Sequence, residues 1–509
     1  MTLLFYPRGG SSQVVRYLVP AIEASGWPVA LVAGSLGDPG DRTHAESFFK
    51  HPDLTPIDYG PALAAHKLGR DPLAEPVPMH PSFEDRPGAP DPVIAAVPPA
   101  AGEHLAAVWE EALARAWVQP PAVAHLHHLT PIHEAVTRGF PGMPIVTHLH
   151  GTEILLLEHI DRLRGLAGIL GTDLAGMAES GGRGAPTADL DGEERRMLRE
   201  TRWEQWRFGD HWARRLRHAA RMSSRIVAIS PHLRDEARAL LDVPPETVES
   251  IPNGVDIERF DRQVLDRAER LARWRRWLVE EPQGWDESGE PGSIRYRDDD
   301  LQWFEADKPG GDHAPVLLFV GRFTEVKRVP LLLRAYARAR ERFNTRAPLV
   351  LVGGFPGEWE GEHPHAVARE VGEAGIFFVG WRGHTELPEG LTCADVMVAP
   401  SAREGFGQML IEAMSCGVPV IATRSGGPVS FVNTDPARPN GWLIPPDDID
   451  ALTDALVEAV NGEQTRTVRG ENGYRQIRAS HSWETTARAF EALYEELLAR
   501  GQTILQHST

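Results

Sequence analysis

Val396-Met397-Val398-Ala399 runs into Pro400-Ser401-Ala402-Arg403-Glu404-Gly405-Phe406-Gly407, then Gln408-Met409-Leu410-Ile411-Glu412-Ala413-Met414-Ser415, then Cys416-Gly417-Val418, and then Pro419-Val420-Ile421-Ala422. The first and last runs are apolar throughout, as strands of a parallel sheet are when helices cover both faces. Between them a polar loop and a glycine turn open a helical pattern. The stretch therefore reads strand–loop–helix–strand. A second glycine-rich turn, Ser425-Gly426-Gly427-Pro428, follows at the same sheet edge.

Outward from this unit the same rhythm repeats. Buried strands are expected at Leu3–Tyr6, Val29–Ala33, Val123–His127, Ile145–His150 and Arg225–Ile229. A second set is expected at Val316–Val320, Leu349–Val352, Ile376–Val379, Val396–Ala399 and Pro419–Ala422. Helical patterns such as Gln13–Ala24, Pro330–Arg342 and Gln408–Ser415 lie between them. The alternation predicts an α/β protein of two doubly wound, Rossmann-like domains. Ligands of such sheets bind at the carboxyl ends of the strands, so the chemistry is expected there, in a deep cleft faced by both domains. The predicted organisation is a first domain over 1–255, a linker or insertion over 256–312, a second domain over 313–482, and a C-terminal helix over 483–509 that crosses back to the first domain. One short helix is expected near Val264–Val279. The Pro-rich region 37–101 reads as loops, and 168–193 as a mobile loop.

The 509 residues exceed one typical domain. The 53 basic and 72 acidic residues leave a net charge of −19. That balance argues against nucleic-acid binding, which needs a basic face, and against a polybasic membrane anchor. Two cysteines, Cys393 and Cys416, allow neither a disulfide framework nor a four-thiolate zinc site. No signal-like start and no membrane-length apolar run is present, so a cytoplasmic protein is expected.

The chemistry concentrates after the strands. Glu404 precedes the helix at Gln408 and Glu412 lies about one turn inside it. A ligand across the helix start would meet backbone N–H groups from Phe406 to Met409 and about half a positive charge, which suits phosphate. Carboxylates accept well from vicinal hydroxyls of a sugar or ribose. In Phe319-Val320-Gly321-Arg322-Phe323-Thr324-Glu325-Val326-Lys327 a strand delivers two cations five residues apart. A departing diphosphate needs such charge, each pair giving roughly 4 kcal/mol before desolvation. Taken alone, each motif also suits ordinary loop charges.

Together with Ile251-Pro252-Asn253-Gly254-Val255-Asp256 and Arg259-Phe260, these segments resemble the retaining GT-B glycosyltransferases of family 4. The likeness is strong over 224–445 and weaker over the first domain. It implies a nucleotide-diphospho-sugar donor, UDP by default, held mainly by the second domain, and an acceptor held mainly by the first. By that resemblance Glu404 binds donor-sugar hydroxyls, and Gly405, Phe406, Gly407, Gln408 and Met409 face the sugar and diphosphate. Glu412 holds the ribose, Arg322 and Lys327 bind the diphosphate, and Trp381 and Arg382 lie by the base. Gly9 and Gly10, in Pro7-Arg8-Gly9-Gly10-Ser11-Ser12, match a glycine loop near the donor diphosphate. His150, in His148-Leu149-His150-Gly151-Thr152-Glu153, matches a residue near the reacting carbon.

The resemblance thus implies a metal-independent retaining hexosyltransferase with Arg322, Lys327, His150 and Glu404 as its catalytic groups. His127, His128 and His150 are the candidate acceptor contacts. His125, His127, His128, His133, His148 and His150 fit no sequence spacing of a zinc site, and they read as polar cleft residues. Asp298-Asp299-Asp300 reads as a solvated charge run, so no metal is expected. The tryptophans and arginines of 202–217 and 273–277 read as buried stripes rather than a membrane face. A small soluble acceptor is expected, a sugar, cyclitol or natural-product scaffold. Homodimerisation, the donor sugar, and GDP or ADP in place of UDP stay open. The alternatives are a sugar-nucleotide epimerase or hydrolase and a non-catalytic sugar-nucleotide-binding protein.

Overall fold

The computed structural model describes residues 1–86, 88–183, 190–307 and 313–507, with side chains described to residue 500. Contacts divide the chain into two units, Met1–Pro252 with Thr486–Thr509, and Asn253–Thr485.

Unit 1 is built on seven parallel strands. These are β1 (Thr2–Leu3), β2 (Leu31–Ser35), β3 (Leu54–Asp58), β4 (Ala124–His127), β5 (Ile145–Leu149), β6 (Arg225–Ala228) and β7 (Val248–Ser250). Their order is β3-β2-β1-β4-β5-β6-β7. Unit 2 repeats the plan with β8 (Leu317–Gly321), β9 (Leu349–Gly353), β10 (Ile376–Gly380), β11 (Val396–Ala399), β12 (Val420–Thr423) and β13 (Gly441–Ile444), in the order β10-β9-β8-β11-β12-β13. In both sheets the order reverses between the first and fourth strands of the unit. A reversal separates the flanking helices and leaves a crevice at the strand ends, where ligands of open parallel sheets bind.

Each core follows from the apolar strand runs. In unit 2, Phe319, Leu351, Val398 and Ile421 bury against Leu332, Tyr336 and Leu456 from the covering helices. In unit 1, Leu4, Val32, Leu126 and Ile145 pack with Trp109, Leu113 and Ile132.

Three expectations are corrected. The region 37–101 holds more than loops. It supplies edge strand β3 and the helices Ala45–Phe49 and Gly60–Lys67, with Tyr59, Ala62 and Met79 in the core. Pro56 disguised the strand; an edge strand tolerates proline because one side has no ladder to complete. The segment 168–193 contains helix Leu174–Ser180, whose N-cap Asp173 accepts from Gly176 N–H, and the start of helix Gly192–Glu200, closed by an Asp191–Glu194 capping box; residues 184–189 lie outside the described ones.

The stretch 256–312 is not a linker but part of unit 2, its residues 308–312 lying outside the described ones. Its helix spans Arg267–Arg275 and continues as a wider turn, Arg276–Glu280. Trp274, Trp277 and Trp285 are buried, and Trp285 Nε1 donates to Gly354 O at 3.1 Å. Tyr296 Oη accepts from Phe378 N–H of edge strand β10 at 2.8 Å. The insertion thereby covers a sheet edge that would otherwise offer unpaired backbone groups. Asp298 is exposed and paired with Arg275, as a surface charge is. In unit 1, Trp203, Trp206, Trp212 and Leu216 are buried, and so is Arg215. It forms a buried ion pair with Glu134 at 2.6 Å.

Candidate functional site

The order reversal of unit 2 lies between β8 and β11, and both charged segments issue from those strands. Past β8 the chain turns through Glu325–Lys327. Past β11, Ala402 N–H donates to Val326 O at 2.8 Å, joining the two loops. Lys327 Nζ reaches Glu404 Oε2 at 2.6 Å, with Ser401 Oγ 3.3 Å from the same oxygen. Both partners are partly exposed, 23% for Lys327 and 18% for Glu404. The pair is thus preformed and open to a ligand. Arg322, one residue past β8, is exposed.

The helix Gln408–Ser415 begins at Gly407. Phe406 is buried, so its side chain anchors the turn while its backbone remains at the helix start. The first N–H groups of any helix lack intrahelical acceptors and point along the axis. Gly426 and Gly427 form the floor of this turn. Gly427 N–H donates to Glu404 O at 2.9 Å. A Cβ on Gly426, whose φ is +73°, would sit 1.8 Å from Glu404 O. Only glycine fits there, and it fixes the height of the Glu404 loop.

Glu412 is 2% exposed. Its Oε1 accepts from His384 Nε2 at 3.1 Å and from Gln408 Nε2 at 3.3 Å, while Oε2 has no partner among the described residues. Gln408 Nε2 also donates to Gly254 O at 2.9 Å, and Ser415 Oγ to Phe260 O at 2.5 Å. The 253–260 motif therefore wraps the helix that carries Glu412. His384 was missed by sequence reasoning, which stopped two residues earlier. A histidine just past the end of β10 was the available signal.

Arg382 requires correction. It is buried, burial lowers its pKa, and it donates to the carbonyls of Trp277, at 3.1 Å, and Glu281. Its guanidinium holds the insertion. Trp381 is half-buried and meets Phe355 edge-on, ring centroids 6.3 Å apart.

In unit 1 the reversal lies between β1 and β4. Past β1, Gly9 has φ +78° and caps the helix Gly10–Ala24, with open space where a Cβ would stand on Gly9 or Gly10. Past β5, His150 N–H donates to Glu153 Oε1 at 3.1 Å, and His150 Nε2 lies 2.9 Å from His127 Nδ1. Burial opposes ionisation of Glu153, but His128 and backbone N–H groups outweigh it and hold its pKa low. His127 and His128 are also corrected. They are 0% and 3% exposed, and their partners are His150 and Glu153. His133 is buried with Nε2 2.7 Å from Thr147 Oγ1.

Comparison with known proteins fits this geometry. Residues 8–259 match the model for Glycosyltransferase Family 4, and residues 303–476 that for Glycosyl transferases group 1. Among similar chains, D-inositol 3-phosphate glycosyltransferase of Saccharomonospora viridis is 30% identical over 271 residues, 52% of this chain and 54% of that one. The same-named protein of Corynebacterium jeikeium is 35% identical over 190 residues, 36% and 44% of the two chains. The chain thus spans about half the length of these relatives. Among solved structures, sucrose-phosphate synthase of Thermosynechococcus elongatus superposes with a TM-score of 0.59 at 19% identity, covering 98% of each chain. HepE of Anabaena, in complex with UDP and glucose, gives 0.57 at 14% identity, covering 97% of this chain and 98% of that one. These likenesses give the fold as GT-B. With the two family models spanning both units, the chain belongs to the family 4, group 1 glycosyltransferases.

Proposed function

We propose that the protein transfers a sugar from a nucleotide-diphospho-sugar to a hydroxyl of a small soluble acceptor. The observation that carries this reading is the Lys327–Glu404 pair, seated beside the helix start at Gln408 in the crevice of unit 2. A cation and unpaired amides suit a diphosphate whose charge grows as its bond breaks, and the carboxylate suits sugar hydroxyls. Glu412 Oε2, buried and unsatisfied among the described residues, suits a ribose hydroxyl donor.

UDP is the proposed nucleotide; HepE is a UDP-binding protein of this fold. The acceptor is proposed to be a polyol, with D-inositol 3-phosphate the first to test because two relatives carry that name. Transfer proceeds with retention. The diphosphate leaves on the side held by Lys327, Arg322 and the helix start. The acceptor hydroxyl attacks from that same face, and a departing phosphate oxygen takes its proton. The cations take the part of a metal ion, so the reaction is proposed to need none.

The test is a thermal-shift panel of UDP, GDP, ADP and their sugars, followed by product analysis with and without D-inositol 3-phosphate. The reading expects stabilisation by UDP and an α-linked product from an α-linked donor, with EDTA present. Donor consumed without acceptor would favour an epimerase or hydrolase. Tight donor binding with no turnover across an acceptor panel would leave a binding protein.

A further inference from the structure

Unit 1 carries a second constellation that the transfer reaction does not use. Histidines at 125 and 127 alternate onto one face of β4, and the register places His148 of β5 opposite His127. One ring nitrogen from each of His125, His127 and His148 lies within 4.8 Å of the others, and all three residues are buried. We propose that these three imidazoles form a zinc-binding site.

Three observations support it. First, the spacing suits the ion. His125 Nε2 and His148 Nδ1 are 3.4 Å apart, close to the edge of about 3.3 Å expected of a tetrahedron with Zn–N bonds of about 2.0–2.1 Å. Second, the outer nitrogens of His125 and His127 are already held. His125 Nδ1 lies 2.5 Å from Tyr494 Oη, and His127 Nδ1 lies 2.9 Å from His150 Nε2. Metal-bound histidines are oriented in this way, each ring bonded through the nitrogen that does not ligate. Third, His127 Nε2 is buried with no hydrogen-bond partner among the described residues. A buried polar atom left unsatisfied is costly, and an ion within reach removes that cost. His148 can ligate through either nitrogen. A set of three imidazoles suits zinc rather than magnesium or calcium, which take oxygen ligands.

Sequence spacing hid the site because its ligands come from two strands joined by register. An ion on His127 Nε2 would also fix the proton on Nδ1, which donates to His150 Nε2 and so leaves the His150 proton on its own Nδ1.

The test uses the full chain without a tag, stripped with EDTA and titrated with Zn²⁺ against a chromophoric competitor. We expect one ion per chain with submicromolar affinity, and an intense tetrahedral visible spectrum with Co²⁺. Tyr494→Phe, which removes only the outer contact, should weaken binding by about 10–100-fold. His127→Gln should weaken it by at least as much. Absence of submicromolar uptake by the wild type would overturn the proposal. So would uptake that both variants leave unchanged, because it would lie at other histidines. Neither result bears on UDP binding in unit 2, which the thermal-shift panel reads separately.

Discussion

At the scale of single residues, two side chains and one absent side chain define the crevice of unit 2. Lys327 and Glu404 are joined at 2.6 Å but partly exposed, so the pair adds little to stability and its charge is available to a ligand. Lys327→Ala is expected to cost about 2.7–4 kcal/mol of barrier, a 10²–10³-fold fall in kcat, with the melting temperature nearly unchanged. Steady-state kinetics beside a melting curve checks both halves of that statement. Gly426→Ala should do the reverse in part. A methyl 1.8 Å from Glu404 O, on a residue at φ +73°, has to displace the loop. Stability should fall by about 1–3 kcal/mol in urea unfolding, and donor affinity should fall with it.

At the scale of elements, the described part of the 256–312 insertion behaves as a cover for β10. Trp285 is 1% exposed and bonded to Gly354 O. Trp285→Ala should therefore destabilise unit 2 by about 3–5 kcal/mol in urea unfolding, whereas a true linker would tolerate the change. This element also marks where sequence reading stopped. The apolar central strands and the helix Gln408–Ser415 were legible because burial on both faces leaves uninterrupted runs. Strand β3, with Pro56, and the three-residue β7 were not, because edge strands carry weaker patterns. The site divided along the same line. Glu404, Arg322 and Lys327 follow strand ends and Glu412 sits in the helix that comes next, so their placement was legible. His384 reaches Glu412 only through tertiary packing, and Arg382 turned inward toward carbonyls of an insertion that no periodicity announces. Histidines 127 and 128 were legible as a group, but their burial depends on register.

At the scale of the molecule, the order of the first six strands of unit 1 recurs in unit 2, and each reversal point gathers its own set of groups: glycines and histidines in unit 1, a cation–carboxylate pair and a helix start in unit 2. Acid stability tests how unit 2 is anchored. Burial would raise the pKa of Asp395, but Arg270 at 2.7 Å, His313 and Val316 N–H outweigh it and hold the value at about 2. A depressed carboxylate pKa gives stability that is complete above the unfolded value near 4 and is lost as pH falls toward 2. About 2 kcal/mol is involved. Urea unfolding at pH 6 and pH 3 should show a smaller acid-induced loss in Asp395→Asn than in the wild type.

The most direct test of the diphosphate site is calorimetric titration of UDP and UMP into the wild type and Lys327→Ala. The wild type should prefer UDP strongly, and the variant should lose most of that preference while holding UMP as before. An equal preference in both proteins would contradict the assignment of Lys327 and the helix start to the diphosphate.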